Sequence, residues 1–364
     1  MSPTASRPAR PPVPHPTSRT ATRPASATVT RPAAGPALRP ASRTVTRTLT
    51  VPDEYDFVGT VGQLPMGPHD PCQRLVDGVF WWVTRTPEGL ATLSLRRDAG
   101  RLLATGYGPG AAWVVEQADA VAGLRDDLSG FAEVAARHPL VAQLARRYRG
   151  LRLPATGRVY ERLLRTILEQ KVTGTEAYRA YAATVRYCHR VSGGSPAPGP
   201  AVGLLPPPDP ATVATLPYWV LHRFGVEQRR ADTLARASVH APRLEGCRDS
   251  AEANRRLTAI PGIGPWTAAE VVRVAYGDPD AVSVGDWHIP HTVAWALAGQ
   301  VRAGARSAGP DAPAGALSPA DVRMLELLEP FRGHRGRVCV LLEHAGYAAP
   351  RFGPRMAIRS FATF

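Results

Sequence analysis

The residues in this chain best suited to chemistry lie between 257 and 291. An apolar helix ending Leu257-Thr258-Ala259-Ile260 runs into Pro261-Gly262-Ile263-Gly264, and Pro265-Trp266-Thr267-Ala268 opens the next helix at once. Glycine supplies the positive-φ geometry that so tight a turn needs. Proline suits the first turn of a helix, where its missing N–H costs nothing. With no side chains at Gly262 and Gly264, the backbone N–H groups of the hairpin are free to meet a phosphate oxygen, reinforced by the following helix N-terminus. Such contacts grip a nucleic-acid backbone without reading bases. Taken alone, the Gly-x-Gly pattern is equally that of an ordinary αα-hairpin.

The second element of this constellation is a carboxylate. Val284-Gly285-Asp286-Trp287-His288 follows Gly262 by two dozen residues and precedes a helix at Ile289–Leu297. Asp286 is either the N-terminal cap of that helix, a common position for Asp, or an acid facing a DNA-bound cleft. His288 and His291 have the His-x-x-His spacing of a metal pair, but no third strong ligand follows at metal spacing, so a metal-free site is expected. Asp278 and Asp280, in Gly277-Asp278-Pro279-Asp280, read as turn residues. Tyr160, Tyr178 and the Tyr218-Trp219 pair are expected to pack in the core. Trp287 is divided evenly between core packing and a place in a base pocket.

The pairing of Ile260-Pro261-Gly262-Ile263-Gly264-Pro265-Trp266-Thr267-Ala268 with Gly285-Asp286 resembles the helix-hairpin-helix (HhH-GPD) DNA glycosylase superfamily. Within it the chain is most similar to the alkylated-base branch, 3-methyladenine DNA glycosylase II. Gly150-Leu151-Arg152-Leu153-Pro154 and Ile167-Leu168-Glu169-Gln170 resemble that branch's lead into its helical region. The resemblance implies a monofunctional hydrolase of base-excision repair that flips and excises alkylated purines such as 3-methyladenine. Asp286 matches the catalytic aspartate, which stabilises an oxocarbenium-like transition state and orients or activates water. Members that also cut the strand carry a Schiff-base lysine where this chain has Trp266, so no lyase activity is expected. The resemblance also places Trp266, Trp287 and Gln170 in the base pocket. It assigns Pro261, Gly262, Ile263, Gly264, Thr267 and Arg335 to the DNA backbone, and it allows a monovalent cation on the hairpin backbone as the only cofactor. Two features depart from the pattern. Glu270 stands where an aromatic is expected, and His334 near where another is. In place of an apolar intercalating wedge stands Lys171; either it fills the gap as a charged plug or the wedge comes from elsewhere. The alternatives to this reading are a non-catalytic helix-hairpin-helix module that holds DNA, and a glycosylase for another damaged base.

The elements that must position these groups follow from the wider pattern. Val79-Phe80-Trp81-Trp82-Val83-Thr84, the turn Pro87-Glu88-Gly89, and the alternation of Leu93 and Leu95 predict a β-hairpin. Segments near Leu102-Leu103 and Trp113-Val114-Val115 are expected to extend it. Apolar residues at helical spacing dominate beyond residue 130, with helices expected near 212–222, 227–240, 250–259, 265–277, 288–300, 319–329 and 334–346. Gly/Pro-rich stretches at 192–210 and 302–319 read as surface loops. The fold class is therefore α+β. By the resemblance, a small TATA-binding-protein-like antiparallel sheet (49–129) precedes a helical region (130–364). That region divides into a central subdomain (154–286) and a second one (130–153 with 287–364).

Composition narrows the partner. The chain has 364 residues and a formal charge of +14, which suggests an anionic partner such as nucleic acid. Residues 1–50 hold eight arginines and no acid, which leaves +6 for the rest. Residues 1–48 read as a disordered basic tail. Lys171 is the only lysine and Asn254 the only asparagine, a bias typical of GC-rich bacterial coding. Charge alone is therefore weak evidence, and Arg332, Arg335 and Arg337 are as readily a product of that bias as a phosphate cluster. Cys72, Cys188, Cys247 and Cys339 are too scattered for a zinc ribbon or a local iron–sulfur loop. No run of about 18 apolar residues is present to span a membrane. The expected partner is duplex DNA with alkylated bases, met by a monomer in the cytoplasm at the nucleoid.

Overall fold

The computed structural model describes residues 43–350 apart from 202, 309–312 and 314. Strands β1 (Thr44–Thr50), β2 (Gln73–Val76), β3 (Val79–Thr86), β4 (Gly89–Asp98) and β5 (Arg101–Tyr107) form one antiparallel sheet in the order β1-β5-β4-β3-β2. Alternation defines its buried face. Phe80 pairs with Leu95, Trp82 with Leu93, and Leu95 with Ala104, and all are fully buried. Asp77-Gly78 and Ala99-Gly100 close β2–β3 and β4–β5 with positive φ at both positions, the two-residue turn whose twist matches the strands. The basic tail expected over 1–48 falls largely outside the described residues. Its last part is corrected, because β1 begins at Thr44 and pairs with β5 along its whole length.

Helices α1 (Phe57–Val61), α2 (Ala111–Glu116) and α3 (Ala118–Val121) cover the buried face of the sheet. Trp113-Val114-Val115, expected to extend the sheet, lies in α2. Ala111, Val114, Val115 and Ala118 recur at helical spacing and are all buried, so periodicity outweighs the β-propensity of valine and tryptophan here.

The rest of the described chain is helical. Helices α4 (Phe131–Ala135) and α5 (Pro139–Arg147) pack with α13 (Ile289–Ala298), α14 (Pro319–Leu328), a 3-10 turn (Glu329–Phe331) and α15 (Arg335–His344) around one apolar cluster. A second cluster joins α6 (Val159–Glu169), α7 (Gly174–Val191), α8 (Pro210–Ala214), α9 (Tyr218–His222), α10 (Gln228–Glu245), α11 (Ser250–Thr258) and α12 (Pro265–Ala275). The sheet is tied to α6 by Glu161, which accepts from Thr84 Oγ1 (2.7 Å) and Arg85 N (3.0 Å), and by Arg165, which donates to Gln73 Oε1 of β2 at 3.4 Å. The segments 192–209 and 303–318 hold no regular structure among their described residues. Tyr160 is buried with its hydroxyl 2.7 Å from Ser238 Oγ. The core packing expected of Tyr178, Tyr218 and Trp219 is not found: they are exposed, Trp219 by 61%. Tyr178 lies off the buried stripe of α7 (Ala177, Ala180, Tyr181), and Tyr218 and Trp219 precede the buried Val220 and Leu221 of α9.

Candidate active site

Helix α11 is capped by Asp249, whose carboxylate accepts from Glu252 N at 2.7 Å, and it leads into the turn before α12. Gly262 takes φ +98°, and a Cβ there would sit 2.3 Å from Thr233 Oγ1. Both conformation and space therefore require glycine at this position. The carbonyls of the turn are held inward. Ile260 O accepts from Ile263 N (3.0 Å), Pro261 O from Arg236 Nε (3.1 Å), and Gly262 O from Gln170 Nε2 (3.1 Å). The N–H groups of Gly262, Gly264, Trp266 and Thr267 have no hydrogen-bond partner among the described residues, and Pro261, Gly262 and Gly264 are exposed. The turn thus presents donors outward, as an anion site requires. Ile263 does not join them. Its side chain is buried in the central core and its N–H is spent within the turn, so it anchors the hairpin.

Asp286 sits opposite this turn. Its Oδ2 accepts from Trp266 Nε1 at 3.0 Å, and its Oδ1 accepts from the N–H groups of His288 (2.7 Å) and Ile289 (2.9 Å) at the start of α13. It therefore binds N–H groups that lead into α13, whose N-cap residue is His288, and meets the hairpin's tryptophan at the same time. The loop that carries it is fixed from two sides. Gly285 N donates to Asp321 Oδ1 at 2.8 Å, and Asp321 is held by Ser318 Oγ at 2.6 Å. Asp286 N donates to the Ser283 carbonyl, while Ser283 Oγ donates to Glu270 Oε1 at 2.6 Å.

Glu270 is the residue whose weight the sequence concealed. Its Oε2 accepts from Arg162 NH2 (2.7 Å) and Arg273 NH2 (2.8 Å). Burial alone would push its carboxyl up, but the Arg273 and Arg162 guanidiniums and the Ser283 hydroxyl outweigh that and hold it down to about 2. In place of an expected aromatic stands an ion cluster under the Asp286 loop. A charged residue one turn after Trp266, on the apolar face of α12, was the available signal. Ser318-x-x-Asp321, spaced like a helix cap, was the other.

Other expected residues take different places. Gln170 is drawn to the hairpin instead of a pocket, since its Nε2 also donates to Thr267 Oγ1 at 2.9 Å. Lys171 is exposed at the α6–α7 junction with φ +55°, uncommon for a residue with a side chain. Trp287 is 58% exposed, and the Arg306 guanidinium covers its ring 3.1 Å from the centroid. Arg335 is paired with Asp280, which also accepts from Gly333 N and Arg335 N, so Asp280 ties α15 to its loop and is more than a turn residue. Arg337 is buried against Asp126 (2.5 Å) and Arg332 pairs with Glu329 (2.6 Å). The arginine cluster is thus matched with acids, and its assignment to phosphate is not supported. His334 packs on Phe131 at 5.1 Å and accepts from Arg337 Nε. His291 Nδ1 accepts from Ala303 N at 3.2 Å. Among the described residues no three His, Cys, Asp or Glu side chains gather as metal ligands would, and no helix is long and apolar enough to cross a membrane.

No protein-family model matches the chain. In sequence it is similar to the probable bifunctional transcriptional activator/DNA repair enzyme AlkA of Mycobacterium tuberculosis, 28% identical over 248 residues that cover 65% of this chain and 48% of that protein. The chain thus spans about half the length of the curated relatives it matches. In structure it is similar to a 3-methyladenine DNA glycosylase from Archaeoglobus fulgidus (TM-score 0.61, 15% identity, 81% of this chain and 97% of that one). It is also similar to an 8-oxoguanine glycosylase/lyase from Clostridium acetobutylicum in complex with DNA (TM-score 0.57, 12% identity, 80% and 92%). The chain is related in sequence to AlkA and has the fold of the helix-hairpin-helix DNA glycosylases.

Proposed function

We propose that this protein is a monofunctional DNA glycosylase that hydrolyses the N-glycosidic bond of alkylated purines in duplex DNA. One observation carries the reading: the hydrogen bond between Trp266 Nε1 and Asp286 Oδ2 joins the phosphate-gripping hairpin to the acid. The target base leaves the stack at a cost of a few kcal/mol, lower for a damaged pair. The outward N–H groups at Gly262 and Gly264 hold the backbone while this happens. As the C1′–N bond breaks, the base departs with the bonding electrons and positive charge grows on the sugar. Asp286 faces that charge and steers a water to C1′; the water's oxygen forms the new bond and its proton leaves to solvent or base. A cationic alkylpurine is already a good leaving group, so a single carboxylate suffices. Trp266 offers a π-face to such a base and has no amine for a Schiff base. A monovalent cation on the turn fits poorly, because Arg236 and Gln170 already donate to the Pro261 and Gly262 carbonyls, and no step is assigned to one.

The capping bonds of Asp286 favour a second reading, in which the acid serves α13 alone and the protein only holds DNA. Asp286→Asn separates the two. Asparagine keeps one oxygen for the His288 and Ile289 N–H groups and gives up the acceptor for Trp266 Nε1, so the fold and DNA binding are expected to be retained in either case. The proposal expects release of 3-methyladenine or 7-methylguanine to fall by at least about 100-fold. Undiminished release by the variant would sink the role of Asp286. Strand scission by the unaltered protein would contradict the monofunctional reading.

A further inference from the structure

The exposed indole of Trp287, one residue beyond Asp286, is already occupied by Arg306, and the way it is occupied suggests a role. The backbone just before Arg306 is held at two points. Ala303 N donates to His291 Nδ1 at 3.2 Å, and Ala305 O accepts from Ala320 N at 3.0 Å. Directly after these anchors the Arg306 guanidinium lies over the Trp287 ring, 3.1 Å from its centroid. Stacking uses the face of a guanidinium and leaves the N–H donors around its edge free, in the fork geometry that matches a phosphate. Neither Arg306 nor Arg302 has an acidic partner among the described residues, and both are exposed. The titratable groups near His291 here are His288 and Asp321, and Asp286 is the residue before Trp287. Burial, then Arg306, Arg302 and His288, push His291 down, against a smaller upward pull from Asp321. Arg302 and Arg306 are thus without an acid among the described residues, unlike Arg335 and Arg337 of α15, each of which is matched by one.

We propose that Arg306, held flat on Trp287, is a phosphate clamp for the DNA strand on the side of Asp286 away from the hairpin, with Trp287 as its positioning residue and Arg302 as a second cation. The inference rests on the reading that the chain binds duplex DNA across Asp286. It also gives Trp287 a task other than stacking on the base, since its face is taken.

The test is binding of an undamaged, fluorescein-labelled duplex by anisotropy at about 50 to 200 mM salt, where each lost phosphate contact lowers the slope of log K against log salt by about 0.9. Arg306→Ala is expected to lower that slope by about 0.9 and to weaken binding by about tenfold at the low-salt end. Trp287→Ala is expected to weaken binding several-fold in the intact protein and to add nothing when Arg306 is already alanine. Trp287→Phe, which keeps an aromatic face, is expected to restore most of the slope. An unchanged slope in Arg306→Ala overturns the clamp, and an equal loss from Trp287→Ala in both backgrounds overturns the positioning role. Base release is measured separately. A protein that releases no base yet shows the expected slopes retains the clamp and loses the glycosylase reading, while a protein that releases base with unchanged slopes does the reverse.

Discussion

Replacing Glu270 by Gln removes one negative charge from a site that holds two guanidiniums. The side chains of Arg162 and Arg273 are only 9% and 19% exposed, so neither regains much water when its partner is lost. Glu270 titrates at about 2 in the folded protein against an ordinary 4.5. At about 1.36 kcal/mol per pH unit that gap corresponds to about 3 kcal/mol. Breaking a buried pair from one side costs about 3–5 kcal/mol. Glu169 still lies 3.9 Å from Arg162, which favours the lower end. Because the folded carboxyl is depressed, its stabilisation is complete above pH 4.5 and is lost as the pH falls toward 2. Glutamine does not titrate there. Urea denaturation should therefore show the variant less stable by about 3 kcal/mol at pH 7, with the gap closing as pH falls through 4 and 3. A gap that is the same at pH 7 and pH 3, or one below about 1 kcal/mol throughout, would refute the reasoning. The same variant should release base more slowly, because the hydroxyl of Ser283, whose carbonyl fixes Asp286 N, loses its charged acceptor.

Two further substitutions probe the hairpin and the scaffold. Gly262→Ala forces a Cβ to within 2.3 Å of Thr233 Oγ1 at φ +98°; we expect a local cost of about 1–3 kcal/mol and weaker binding to every DNA sequence, read by anisotropy. Arg337→Ala leaves Asp126 charged and buried (2% exposed). It should lower stability by about 3–5 kcal/mol in urea titrations, while the DNA affinity of the folded fraction is retained.

Local periodicity and turn chemistry made the helices from 228 onward legible, along with the β3–β4 hairpin and the glycine turn. What stayed hidden depended on pairing across long separations. Nothing near Glu270 announces that Arg162, more than a hundred residues earlier, will meet it, and nothing near Arg337 announces Asp126. Arginine is so abundant in this chain that composition could not separate a buried partner from a DNA contact. Folding separated them: Arg335 and Arg337 went to Asp280 and Asp126, while Arg306 lay down on an indole. Trp113-Val114-Val115 failed for a different reason, since three β-formers in a row carry less information than the spacing of Ala111, Val114 and Ala118 around them.

The most informative substitution in the chain is the one at 266. Read as a sequence, the tryptophan is the absence of a lysine and so of a Schiff base. In the folded protein it is also a donor aimed at Asp286, and with the two N–H groups at the start of α13 it leaves both carboxylate oxygens held. A carboxylate held at both oxygens cannot swing to follow a substrate; with two bonds on Oδ1 and one on Oδ2, a single lone-pair site remains, on Oδ2. On the proposed function, that suits a group that must already be in place when positive charge appears, because a fixed dipole or charge has no reorganisation left to do at that moment. A lysine at this position would instead compete for the acid as an ion pair and draw it toward the hairpin. On the proposed function, the indole links the hairpin to the acid while adding no charge of its own to the site.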